Sequence, residues 1–111
     1  MSRLEEIIGK GNFFAHTGAM GNRIRCEDGF EMSVIAGTTT YCTPRPGWGQ
    51  TPDDYQGPYR AVEVGFPSER PEPWETWEEY CQDPEVPTKT IYGYVPVDLV
   101  RQLIETHGGE K

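Results

Sequence analysis

The sequence predicts an α+β fold, an antiparallel sheet of about four strands with short N-terminal, middle and C-terminal helices packed on it. Three observations predict it. Apolar residues recur at helical spacing only near the two ends and around residues 74–81, whereas segments between them alternate with period two. Asp28-Gly29 sits between two alternating runs, and Asp-Gly is a hairpin signal because glycine takes positive φ without a Cβ clash. Proline-punctuated connections separate the later segments, so each strand is short.

The elements follow in order. Ser2 and Glu5 have capping-box spacing, and Gly9 and Gly11 supply stop signals, so a first helix is expected over about residues 3–8 with Leu4, Ile7 and Ile8 inward. Residues 23–26 and 30–36 form the hairpin, with Phe30, Met32, Val34 and Ala36 facing the core and the second strand running on through 38–41. Residues 43–58 hold four prolines and three glycines, which predicts a long loop, functional or mobile. A central strand is expected at 59–66, with Val62, Val64 and Phe66 on one side. Trp74, Trp77, Tyr80 and Cys81 then mark one side of a short helix whose Glu75, Glu78 and Glu79 face water. A last strand at 89–95 leads into a C-terminal helix opened by Pro96 and Asp98, with Leu99, Val100, Leu103 and Ile104 as its apolar stripe. His107 and Gly108-Gly109 close it.

At 111 residues the chain is expected to be one domain, 1–111, with a modest core anchored by its 12% aromatics. No apolar run spans a bilayer, and the first residues carry acids where a secretory signal carries bases. The odd set Cys26, Cys42 and Cys81 reads as free, core-type thiols of a reducing compartment, so a cytoplasmic location is expected. The net charge of −8 excludes a basic face for direct nucleic-acid binding. Residues 69–85 concentrate that charge, with seven acids against one base, a local charge of −6.

Motifs for chemistry are absent from the sequence. Cys26, Cys42, Cys81, His16 and His107 show no close metal-ligand spacing, no Cys or Ser motif with a His and carboxylate appears, and no glycine-rich phosphate loop is present. Neither an enzyme nor a bound cofactor is expected, and two binding surfaces remain. At the borders of the long loop, Tyr41, Arg45, Trp48, Tyr55, Tyr59 and Arg60 supply guanidinium forks and rings suited to a nucleotide-like ligand, or else the arginines neutralise nearby acids and the rings close the core. In the acidic segment, Glu69, Glu72, Glu75, Glu78 and Glu79, with Trp74 and Trp77 if exposed, form either a solvated face or a docking surface for a basic protein.

The segments GNFF at 11–14, YCTPR at 41–45, VEVGFPS at 62–68, YGYVPV at 92–97 and IETHGG at 104–109, taken in that order, resemble a group of small hypothetical proteins of bacteriophage and prophage genomes. The resemblance covers most of the chain and implies a setting, not a site. It implies counter-defence in a bacterial host by stoichiometric binding, either inhibition of a nucleic-acid-handling defence complex of the anti-CRISPR type or sequestration of a cyclic-nucleotide immune signal. An inhibitor would use the acidic segment to meet a host defence protein. A sponge would use the arginines and rings, and an oligomer to enclose its ligand. A structural accessory role in the phage is the third class.

Overall fold

A computed structural model describes residues 2–13 and 23–111. The first helix, α1 (Arg3–Lys10), starts where expected, with the Ser2 hydroxyl accepting the Glu5 amide proton at 3.0 Å. Glu5 does not reach back to complete the box. Its two carboxylate oxygens accept instead from Arg101 at 2.8 and 2.9 Å, and the free amides of Arg3 and Leu4 donate to the Glu110 carboxylate at 2.8 and 3.1 Å. The helix runs two residues past the expected stop because Gly11, not Gly9, takes positive φ and closes it.

The sheet has the order β1-β2-β3-β4, every neighbour antiparallel: β1 (Arg23–Arg25), β2 (Glu31–Ile35), β3 (Ala61–Gly65) and β4 (Ile91–Pro96). β1 and β2 form the hairpin over Asp28-Gly29, where Gly29 has φ +94° and Asp28 Oδ1 accepts the Phe30 amide at 2.9 Å. The second strand does not continue through 38–41. Gly37 at φ +147° and Thr39 at φ +64° turn the chain, and the buried Thr40 hydroxyl bonds both backbone groups of Gly37. β3 is inner as expected, with Val62 and Val64 fully buried. Phe66 does not join them: φ of +49° swings it outward, 52% exposed, while its amide donates to Thr90.

The middle helix is brief, α2 (Trp74–Trp77) followed by a tighter turn at Glu78–Tyr80. Glu75, Glu78 and Glu79 face solvent as expected. Trp77 is fully buried, stacked edge-on to Tyr92 of β4 at 5.7 Å. The chain ends in α3 (Val97–Thr106), with Val100, Leu103 and Ile104 buried and Leu99 half-buried; Pro96 stands just before the first turn, not in it. α1 and α3 pack on the sheet face that carries Ile24, Met32, Val34, Val62, Val64, Tyr92 and Val95, and one continuous apolar cluster joins them. Cys26 and Cys42 are buried in it, whereas Cys81 is only half-buried; burial pushes the Cys26 thiol up to about 11. No helix among the described residues is long and apolar enough to cross a membrane.

Residues after α3 fold back on the hairpin. His107 stacks on Phe30 at 4.0 Å and its Nδ1 meets Asp28 Oδ2 at 2.7 Å, while the Lys111 amide donates to the Arg25 carbonyl. The Phe30 amide, then the His107 ring, hold the Asp28 carboxyl below the usual aspartate range. A lowered native value adds stability above the unfolded-state value and loses it as pH falls through the native one. Wild type should therefore lose melting temperature more steeply than Asp28→Asn below about pH 4, as read by thermal melts across that range; parallel curves would remove Asp28 from the acid response. Trp77→Ala should cost about 3–5 kcal/mol in urea unfolding, as large aromatic truncations in a core do, and a loss under about 1 kcal/mol would contradict its anchoring role.

Candidate binding surface

The long loop is stitched down, not loose. Arg60 N–H donates to the Thr43 carbonyl, Thr43 N–H donates to the Ala61 carbonyl, Trp48 N–H donates to the Arg45 carbonyl at 3.1 Å, and Gly47 N–H reaches the carbonyls of Thr51 and Pro52. Its six candidate residues fall into separate groups. Tyr55 and Tyr59 meet edge to face at 5.5 Å, and Tyr59 is buried against α1, with its amide on the Ile8 carbonyl and its hydroxyl on the Tyr55 carbonyl. Burial pushes that hydroxyl up to about 12. Tyr59 is thus a core residue and cannot stack on a ligand. Arg60 is exposed beside it.

Tyr41, Arg45 and Trp48 come together elsewhere, against β4. The Arg45 guanidinium lies 4.5 Å from the Trp48 ring centre and 5.1 Å from that of Tyr41, and its Nη1 donates to the Tyr94 hydroxyl at 3.4 Å. Among the described residues neither Arg45 nor Arg60 has a carboxylate within ion-pair distance, so the simple neutralising role is not what holds them. Tyr41 lies over Gly93, where a Cβ would come within 3.2 Å of its side chain. Trp48 is 61% exposed and Tyr94 44% exposed, the latter held at φ +55°. A bulky residue in that region is uncommon and persists where its surroundings over-determine it. Here the Tyr94 amide donates to the Tyr41 carbonyl at 2.9 Å and Arg45 fixes its phenol.

Two residues of this cluster had no place in the sequence-based set. Glu63, the odd carboxylate in an otherwise apolar strand, is half-buried on the β3 face opposite Val62 and Val64, and its Oε1 accepts the Tyr41 amide at 3.0 Å. That lone acid at a mid-strand position was a visible signal. Tyr94 was not detectable, because its outward turn depends on a backbone angle that alternation does not encode. Burial raises the Glu63 carboxyl above the usual range, against the lowering pull of the Tyr41 amide and the Arg45 charge.

The acidic segment lies next along the same strand. Cys81 bridges to Tyr92 and the Gln82 amide donates to the Ile91 carbonyl at 3.0 Å, so residues 81–82 cover the first half of the outer β4 edge and Tyr41 covers the second. Glu69, Glu72, Glu75, Glu78 and Glu79 are all exposed, as are Asp83 and Glu85. Arg70 is already taken, paired to Glu72 at 2.7 Å and set over the Trp74 ring at 5.2 Å. Trp74 is half-buried against Tyr92, and Trp77 points fully inward, which corrects its place in the docking set: helical spacing put both indoles on one side, and that side is the core. A third surface, the cleft of about 520 Å³ between α1 and α3 lined by Ser2, Leu4, Glu5, Arg101, Ile104 and Glu110 among others, carries little ligand chemistry. Its Arg101, Glu5 and Glu110 are spent on each other or on helix ends. His16 lies outside the described residues, and among those described no three His, Cys, Asp or Glu side chains gather as a metal cage.

A raised native carboxyl is a stability contribution present at low pH and lost as pH rises through the native value. Glu63→Gln keeps an oxygen acceptor for Tyr41 and removes the buried charge. At pH 7 it should melt at or above wild type, with the difference shrinking toward zero at acid pH where wild-type Glu63 is protonated. A variant that melts lower at pH 7 and not at acid pH would show the carboxylate to be stabilising.

Set beside known proteins, the chain matches no family model, no curated protein and no solved structure.

Proposed function

We propose that this protein acts by stoichiometric binding, without catalysis, and that its acidic segment docks on the basic, nucleic-acid-handling surface of a host defence protein. The counter-defence setting comes from the resemblance to phage proteins. The observation that carries the docking itself is the local charge: seven exposed carboxylates on one short segment, with its single arginine already paired. Such a field steers a basic partner and rejects acidic ones. Trp77, buried beneath the segment, anchors its backbone to the core.

Sequestration of a cyclic nucleotide is the second reading, and one observation favours it: Arg45 between two rings is a fork that a phosphate and a base can share. Against it, the Glu63 carboxyl that accepts the Tyr41 amide adds an acid to the cluster, and Tyr59 is withdrawn into the core. A cyclic di- or trinucleotide in large molar excess should then leave the melt unmoved, whereas a ligand present at a hundred times its dissociation constant would add about 2.7 kcal/mol.

Glu69, Glu75 and Glu78 make no side-chain hydrogen bond to another described residue, so reversing all three to Lys should leave the melt within a few degrees of wild type. The same triple variant should lose capture of nucleic-acid-binding proteins from host lysate, identified by mass spectrometry. Capture at wild-type level would contradict the docking role.

A further inference from the structure

We infer that Trp48 and Tyr94, gathered with Tyr41 about Arg45, form the apolar anchor of the docking surface, and that what they receive is an arginine side chain of the basic partner. The inference rests on the docking reading and names the chemistry at its centre. Continuity is the first argument. The acidic segment joins β4 at Ile91 and Tyr92, and Tyr41 joins it at Tyr94; positions two apart on a strand are roughly 7 Å apart. The acidic segment and the chain leading to the exposed rings therefore meet the same outer edge of β4.

Residue type is the second argument. Tryptophan, tyrosine and arginine are the side chains that dominate binding energy in protein interfaces, whereas exposed carboxylates chiefly set the rate of encounter. Here the rings are already ordered. Arg45 lies over the Trp48 indole, a residue that stays 61% exposed, and Tyr94 is pinned at backbone and phenol. Little side-chain freedom remains to be lost on binding.

Charge selects the occupant. Arg45 is the one cation in the cluster, against the half-buried Glu63 that accepts the Tyr41 amide and the −6 segment whose residues 81–82 join the same β4 edge. An arriving cation is favoured and a phosphate is not. Guanidinium is planar and weakly hydrated, so it stacks on an indole face better than an ammonium does, and it can fork onto a carboxylate at the same time. The cluster should accordingly prefer arginine to lysine.

Two blocked heptapeptides test this, one alternating glycine with three arginines and one with three lysines, titrated into the full chain at low salt with tryptophan emission and calorimetry as readouts. The arginine peptide should bind at least fivefold tighter than the lysine peptide. Trp48→Ala should weaken the arginine peptide about tenfold and abolish the preference, with Tyr94→Ser as the second variant and a thermal melt of each as the check on folding. Reversal of Glu69, Glu75 and Glu78 to Lys should weaken both peptides alike. Equal binding of the two peptides, unchanged in Trp48→Ala, would overturn the anchor and leave the acidic docking surface standing. No binding of either peptide would overturn both. A melt shifted only by a cyclic dinucleotide would make the cluster a nucleotide site instead.

Discussion

The outer edge of β4 is the constraint on which the rest of the arrangement depends. An open strand edge offers unpaired amides and carbonyls to any passing chain, and proteins cover or blunt such edges. This one is covered twice, by residues 81–82 at Ile91 and Tyr92 and by Tyr41 at Tyr94. Covering it requires the acidic segment to run alongside the sheet, and Trp77 is the residue that holds it there, edge-on to Tyr92 in the core. Covering it also requires the start of the long loop to lie across Gly93, which has no side chain to keep Tyr41 away. The two surfaces that carry the chain's unusual chemistry are neighbours because the same edge needed both.

The opposite edge is treated differently. There the tail after α3 comes back to β1, placing the Glu110 carboxylate on the free amides of α1 and His107 on Phe30. Arg101 bridges α3 to Glu5 of α1. These polar contacts fasten the helices to each other at the rim of the apolar cluster. On the β4 side, of the acids at 69–85 only Glu72 makes an ion pair to a described residue.

Much of this was legible in the sequence. Alternation from Phe30 to Ala36 identified the buried face of the second strand, Asp28-Gly29 identified the hairpin, and the stripe of Val100, Leu103 and Ile104 identified the last helix. Misplacements share a cause. Phe66 and Thr39 were read as extended, yet both take positive φ, Phe66 with its amide on the Thr90 carbonyl and Thr39 inside the turn closed by Gly37 and Thr40. Trp48 and Trp77 are the same residue in equally aromatic contexts. One is 61% exposed and the other fully buried, because only the fold decides which ring finds Tyr92. The candidate cluster was half legible for the same reason: Tyr41, Arg45 and Trp48 lie close in the chain, whereas Glu63 and Tyr94 reach them through strand pairing.

The central claim is that the acidic segment and the Trp48–Tyr94 cluster work as one surface. Amide chemical-shift mapping tests it most directly, with the alternating arginine heptapeptide titrated into isotope-labelled protein. One surface predicts that resonances at 74–85, at 41–48 and at Tyr94 move together along a single binding curve, with those of α1 and α3 unmoved. Movement confined to 74–85, or two curves with separate midpoints, would contradict it.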